Sequence, residues 1–122
     1  AVLEMLSMIT DHMKKQIVDL RGKPAAKDKI VVTYGGALHN DMQPGAGREG
    51  WSFGPAIDAA TAHRYVEIDL VVPEYVKETP AWTGQRWYAA HQATKAESGT
   101  TLIKTGEHAY AIILPRGVGR PE

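Results

Sequence analysis

Residues Lys29–Pro44 read KIVVTYGGALHNDMQP. The stretch begins as a β-branched and aromatic run, Ile30–Tyr34, and passes through Gly35 and Gly36 to His39 and Asp41. A continuous apolar run of this length predicts a strand covered on both faces, as in a parallel sheet. The following residues, 35–50, hold five glycines and one proline, which predicts a loop. Ligands in open α/β sheets gather beyond the carboxyl ends of parallel strands. His39 therefore stands where a site would be expected.

Before this stretch, Val2–Leu20 has the period of an amphipathic helix. Leu3, Leu6, Ile9, Met13, Ile17 and Leu20 form its expected buried stripe. Gly22 and Pro24 stop it. After the loop, Ser52 and Pro55 predict a helix start, with the helix running to about Ala62. Arg64–Val72, RYVEIDLVV, predicts a second strand. Its alternation puts Val66, Ile68, Leu70 and Val72 on one face, expected to be core. Glu67 and Asp69 share the other face, which is expected to meet solvent unless it is covered. A short helix around Gln85–Ala90 is expected in the irregular stretch 74–99. Thr101–Lys104 and His108–Leu114 then predict a hairpin turning at Gly106-Glu107.

Strand, crossover helix and strand imply an α/β fold. The expectation is a mixed, mainly parallel sheet flanked by helices, with a C-terminal β-hairpin. The 122 residues suit one α/β domain over 1–122. The chain opens without an initiator Met, directly in a helical pattern, which raises the expectation of one half of a larger fold.

Fourteen basic and fourteen acidic residues leave no net charge, which argues against a broad nucleic-acid or anionic-membrane surface. There is no cysteine, so disulfides, zinc ribbons and thiol catalysis are excluded. No apolar run approaches the ~18 residues of a membrane span. Phosphate-loop, dinucleotide-binding, nucleophile-elbow and HExxH motifs are missing.

The chemistry expected at the strand end follows from residue types. His39 offers a nitrogen to a metal or a proton, and Asp41 would add an oxygen or orient the imidazole. Gly35 and Gly36 would let the chain turn and keep its backbone close to a ligand. Arg48 could bind a carboxylate or phosphate, against the commoner reading of a solvated arginine. Of the strand carboxylates, Asp69 lies nearer the carboxyl end and is the better ligand-binding candidate, beside Glu67. Trp82, Trp87 and Tyr88 would line a planar ligand or, more commonly, form a small hydrophobic cluster. His12, His63, His91 and His108 carry weaker signals, His63 standing at a helix end where a cation suits the dipole.

The helix containing LSMITDHM, the connector, the apolar strand and then Gly36-Ala37-Leu38-His39 resemble the second half of the ChaN-like, TraB and Tiki superfamily. The resemblance covers about residues 1–72, and only Gly36 and His39 match its Gly-x-x-His motif. The motif of the superfamily's first half has no counterpart in this chain. The resemblance and the residues together lead to the expectation of a ligand- or metal-binding domain with its site at the strand end around His39. The alternatives are a metal-dependent hydrolase half-site completed by another segment or chain, a haem-binding module with a tyrosine or histidine on the iron, and a noncatalytic structural or interaction domain. Divalent metal or haem would be the cofactor. A small-molecule or metal ligand, and self-association or pairing with a missing N-terminal half, are the expected partners.

Overall fold

The computed structural model describes residues 1–93 and 99–117. The chain divides into two compact units, Ala1–Glu67 and Ile68–Glu122, described in turn. No helix among the described residues is long and apolar enough to cross a membrane.

In the first unit, α1 spans Val2–Gly22. A single turn of 3-10 helix follows at Pro24–Ala26, where proline supplies the first-turn φ and needs no donor. Arg21 ties the α1 end down by donating from Nη1 to the carbonyls of Ala26, at 3.4 Å, and Lys29, at 3.1 Å. Then come α2 (Ala37–Asn40), a 3-10 turn at Glu49–Trp51, and α3 (Gly54–Ala60). The core is Ile17, Phe53 and Ile57, with Met13 and Tyr65 packed against it. Phe53 is 1% exposed and meets Tyr65 edge to face, ring centroids 6.5 Å apart.

The face of α1 turned to this core is rotated from the expected stripe. Thr10 and Ile17 are buried and Leu6, Met13 and Lys14 half-buried, whereas Leu3, Ile9 and Leu20 are exposed. The apolar arc of the helix is wider than the surface covering it, so about half of it faces out.

Ile30–Tyr34 forms no strand. The segment has no regular structure, and Ile30, Val32 and Tyr34 are 84–92% exposed. A strand needs a neighbour to satisfy its backbone, and among the described residues no strand pairs with this segment. The expected buried strand leading to His39 is therefore corrected to an exposed apolar segment.

In the second unit the sheet is three-stranded, in the order β1-β3-β2, with β1 Glu67–Val71, β2 Thr101–Gly106 and β3 Ala109–Ile113. β1 and β3 run parallel, β2 and β3 antiparallel, so the expected mixed α/β sheet with a C-terminal hairpin is present. Ile103 pairs with Ala111 and Lys104 with Tyr110, and the register shifts between Lys104 and Gly106. The turn falls at Glu107-His108, one residue beyond the expected position. Between β1 and β2 lie a 3-10 turn at Pro73–Tyr75, α4 (Pro80–Thr83) and α5 (Tyr88–Ala93). α5 is the expected short helix, shifted toward the C-terminus.

Val71, Trp87, Ala111 and Ile113 make this unit's core, with Val76, Trp82, Tyr88, Ala90 and Ile103 against it. Trp87 stands 6.0 Å from Trp82 and 6.2 Å from Tyr88 between ring centroids. The aromatic cluster is thus core packing. The face of β1 is the reverse of the expected one. Glu67 and Val71 are buried and Asp69 half-buried, while Ile68 and Leu70 are more than half exposed.

Candidate functional site

His39 sits in the single turn of α2, and its surroundings come from three distant parts of the first unit. Its Nδ1 lies 2.9 Å from Thr10 Oγ1 and 3.1 Å from the Trp51 carbonyl. Thr10 is buried in α1 and donates its own hydroxyl proton to the same Trp51 carbonyl at 2.8 Å. With that proton used, the threonine oxygen can only accept from the ring. Both partners of Nδ1 are then acceptors, so Nδ1 carries the hydrogen. In the neutral ring the lone pair belongs to Nε2. Nε2 has no hydrogen-bond partner among the described residues and is not sealed from solvent.

The backbone around His39 is tied down with similar density. Phe53 N–H donates to the His39 carbonyl at 2.8 Å, and Ser52 Oγ reaches it at 3.2 Å. Ser52 Oγ also donates to the Asp41 carbonyl at 2.6 Å and accepts from Gly54 N–H at 3.1 Å. Ser52 therefore fastens two chain segments together, but it is not the cap expected from sequence: the N-cap of α3 is Phe53, one residue on, with no side-chain cap bond. Tyr65 donates its phenol to the Asn40 carbonyl at 2.9 Å. Glu67 accepts from Met42 N–H at 2.8 Å. That contact gives the buried carboxylate a backbone partner, as burial demands.

Asp41 does not act on the imidazole. Its Oδ1 accepts from Gln43 N–H at 2.7 Å, closing its own turn, and no hydrogen bond or ion pair joins it to His39. Gly35 and Gly36 do not turn sharply. Gly36 has φ −69°, and a Cβ there would meet nothing within 4 Å. Gly35 would meet only the Met13 methyl at 3.7 Å, an ordinary contact. What the two glycines leave is open space beside the backbone. Arg48 is exposed, with no side-chain partner among the described residues. Asp69 lies on β1 in the second unit, half-buried.

Among the described residues, no group of three or more His, Asp or Glu side chains is placed to hold a metal ion. The donor set thus does not fit a divalent ion held by these residues alone. His39 contributes one nitrogen, and the two nearby carboxylates have loop duties.

Two residues and one pairing were missed from sequence. Thr10 lies 29 residues from His39 and carries no local signal. Gly54 is required by space: a Cβ there would lie 2.7 Å from both the Asn40 and Asp41 carbonyl oxygens. The third is the pair Asp58 and His63. Asp58 is buried in α3, and its Oδ2 lies 2.6 Å from His63 Nδ1, while His63 N–H donates to the Asp58 carbonyl at 2.9 Å. Ala62 and His63 both take left-handed φ, 52° and 57°, where glycine is usual after a helix. An Asp followed five residues later by His across a helix end was the available signal. His63 stands just past the α3 end, where it was expected, and its ring is paired there with Asp58.

No family model matches the chain, and comparison with curated proteins and with solved structures finds no match.

Proposed function

We propose that the first unit is a ligand-binding module whose donor atom is His39 Nε2. One observation carries the reading: Thr10 and the Trp51 carbonyl fix Nδ1 as the protonated nitrogen and leave Nε2 basic and open to solvent. An imidazole held through its other nitrogen is how proteins orient a ligating or proton-accepting histidine. The dense bonding of residues 39–42 keeps the ring from moving when a ligand arrives. Open space beside Gly36 would let a planar or bulky ligand approach the backbone.

A single nitrogen suits axial attachment to haem iron, or an ion whose remaining ligands come from elsewhere. This agrees with the resemblance of Gly36–His39 to the ChaN-like, TraB and Tiki superfamily, in which haem-binding and hydrolytic members both occur. The hydrolytic reading is second, favoured by the same basic nitrogen, which could take a proton from water. Asp41 and Asp69 would serve it only after leaving or extending their present settings.

The test is titration of the chain with haem and, separately, with Mn, Co and Zn ions, for wild type and His39→Ala. A haem band or metal uptake that disappears in the variant supports the reading. Long-range proton–nitrogen spectra should show His39 protonated at Nδ1. Binding that survives in His39→Ala, or an Nε2-protonated ring, would overturn it.

A further inference from the structure

The exposed segment Ile30–Tyr34 raises a separate question. Its course is set by α1. Lys29 is held at the α1 end by Arg21, and Gly35 lies against Met13 one side-chain contact away. The chain therefore runs back along the helix from its last turn toward its middle. Val31 is half-covered, and the other four residues of the segment are exposed. Five successive residues, IVVTY, carry no charge, no proline and high strand propensity. Such a segment without a ladder partner is a template for strand pairing.

We propose that Ile30–Tyr34 is a homotypic docking strand, pairing antiparallel with the same segment of a second copy about a twofold axis at Val32. Charge selects the orientation. In antiparallel register Ile30 faces Tyr34, and Val32 faces Val32. Lys29 and Asp28 of one copy then lie opposite Gly35 and Gly36 of the other. In parallel register Lys27, Asp28 and Lys29 would each face their own copies, and like charges directly opposite are unfavourable. The twofold arrangement also closes on itself.

Area is sufficient for a weak dimer. Ile30, Val32 and Tyr34, at 84–92% exposure, offer roughly 400 Å² of apolar surface per copy. Ladder pairing covers the flanks of these side chains and the strand backbone between them, which keeps the interface below the roughly 1,000 Å² of stable complexes and in the range of weak, transient ones. The backbone hydrogen bonds of the new ladder supply direction, as in strand addition to a sheet edge. Zero net charge places no long-range repulsion between copies.

The experiment combines sedimentation equilibrium of the full chain with oxidative cross-linking. The chain has no cysteine, so introduced thiols report without background. Wild type should show a monomer–dimer equilibrium, and Val32→Lys should raise its Kd roughly 100-fold. Because Val32 is exposed, circular dichroism of that variant should match wild type at concentrations where both are monomeric. Val32→Cys should cross-link with itself. Ile30→Cys should cross-link with Tyr34→Cys in a mixture and not with itself. A monomeric wild type at all concentrations would overturn the proposal, whether its amides at 30–34 exchange freely or are protected by pairing within the chain. A dimer indifferent to Val32→Lys would overturn it too, as would self-linked Ile30→Cys, which signals parallel register.

Discussion

Gly54→Ala tests the reasoning about the His39 loop most directly. The new methyl would stand 2.7 Å from the carbonyl oxygens of Asn40 and Asp41 and 3.0 Å from the Asp41 carbonyl carbon. Close carbon–oxygen contacts start at about 3.3 Å. Each carbonyl must therefore withdraw by about 0.6 Å, or α3 must shift by as much. Neither oxygen is free to move. Asn40 accepts from Tyr65 at 2.9 Å, and that bond would stretch to the edge of hydrogen-bonding range. Asp41 accepts from Ser52, whose hydroxyl also fixes Gly54 N–H. Overpacking of this kind costs about 1–3 kcal/mol, and one weakened hydrogen bond adds about 1 kcal/mol. Loss of unfolded-chain freedom on replacing glycine returns about 0.4–1 kcal/mol. The net expectation is a destabilisation of about 2 kcal/mol, read by urea unfolding with an unchanged m-value. Gly36→Ala is the control. It has negative φ and open space, so its stability should stay within about 0.5 kcal/mol of wild type or rise slightly. Equal costs for the two variants, or a neutral Gly54→Ala, would refute the account of how residues 39–42 are held.

Thr10→Val keeps the shape of the buried side chain and removes the hydroxyl between Nδ1 and the Trp51 carbonyl. It should cost about 1–2 kcal/mol in thermal unfolding and weaken any ligand bound through His39, whereas Thr10→Ser should retain that affinity. Ala62→Gly removes a left-handed φ of 52° from a residue with a Cβ and should stabilise the fold by about 0.5–1 kcal/mol in the same assay. The Glu74 carboxyl is held below its ordinary value, first by the Gly117 N–H it accepts. Its stabilising contribution is present above the unfolded pKa and lost as pH falls through the lower folded value. Glu74→Gln should therefore flatten the acid side of a stability–pH curve, and an unchanged curve would count against the contact.

Local signals carried the elements whose stability is local. α1 and the hairpin at 101–113 depend on residues near one another in the chain, and both form, with the helix running through Gly22 and the turn one residue beyond the expected place. Ile30–Tyr34 has the composition of a buried strand, but burial is a property of neighbours, and composition cannot supply them. The face of β1 illustrates the same limit. Ile68 and Leu70 alternate with Glu67, Asp69 and Val71, and polarity alone favours burying the first pair. Backbone donors decide otherwise: Met42 N–H meets Glu67 from 25 residues away and makes its burial tolerable. Asp58 and His63 escaped because their pairing depends on two left-handed residues that no glycine announced.

The candidate site shows which part of a histidine's setting can be read locally. A histidine after an apolar run and two glycines marks the position, and the sequence pointed to His39. Its partners were expected nearby, and Asp41 was the nearest acid. Asp41 is instead committed to Gln43 N–H, and the orienting groups are a threonine on α1 and a backbone carbonyl at Trp51. Neither carries charge, and that has a chemical consequence. A carboxylate at Nδ1 would stabilise the imidazolium and raise basicity at Nε2, whereas two neutral oxygens orient the ring with less of that effect. The arrangement orients the ring through Nδ1 and, in the neutral ring, leaves the lone pair on Nε2 for iron or another metal. Replacing Thr10 by Asp should set a carboxylate against Nδ1 and favour the imidazolium, followed by proton NMR of the ring. The variant should then bind haem or metal less well than wild type near neutral pH. Equal or tighter binding by that variant would show that orientation alone, and not the neutrality of its partners, matters at His39.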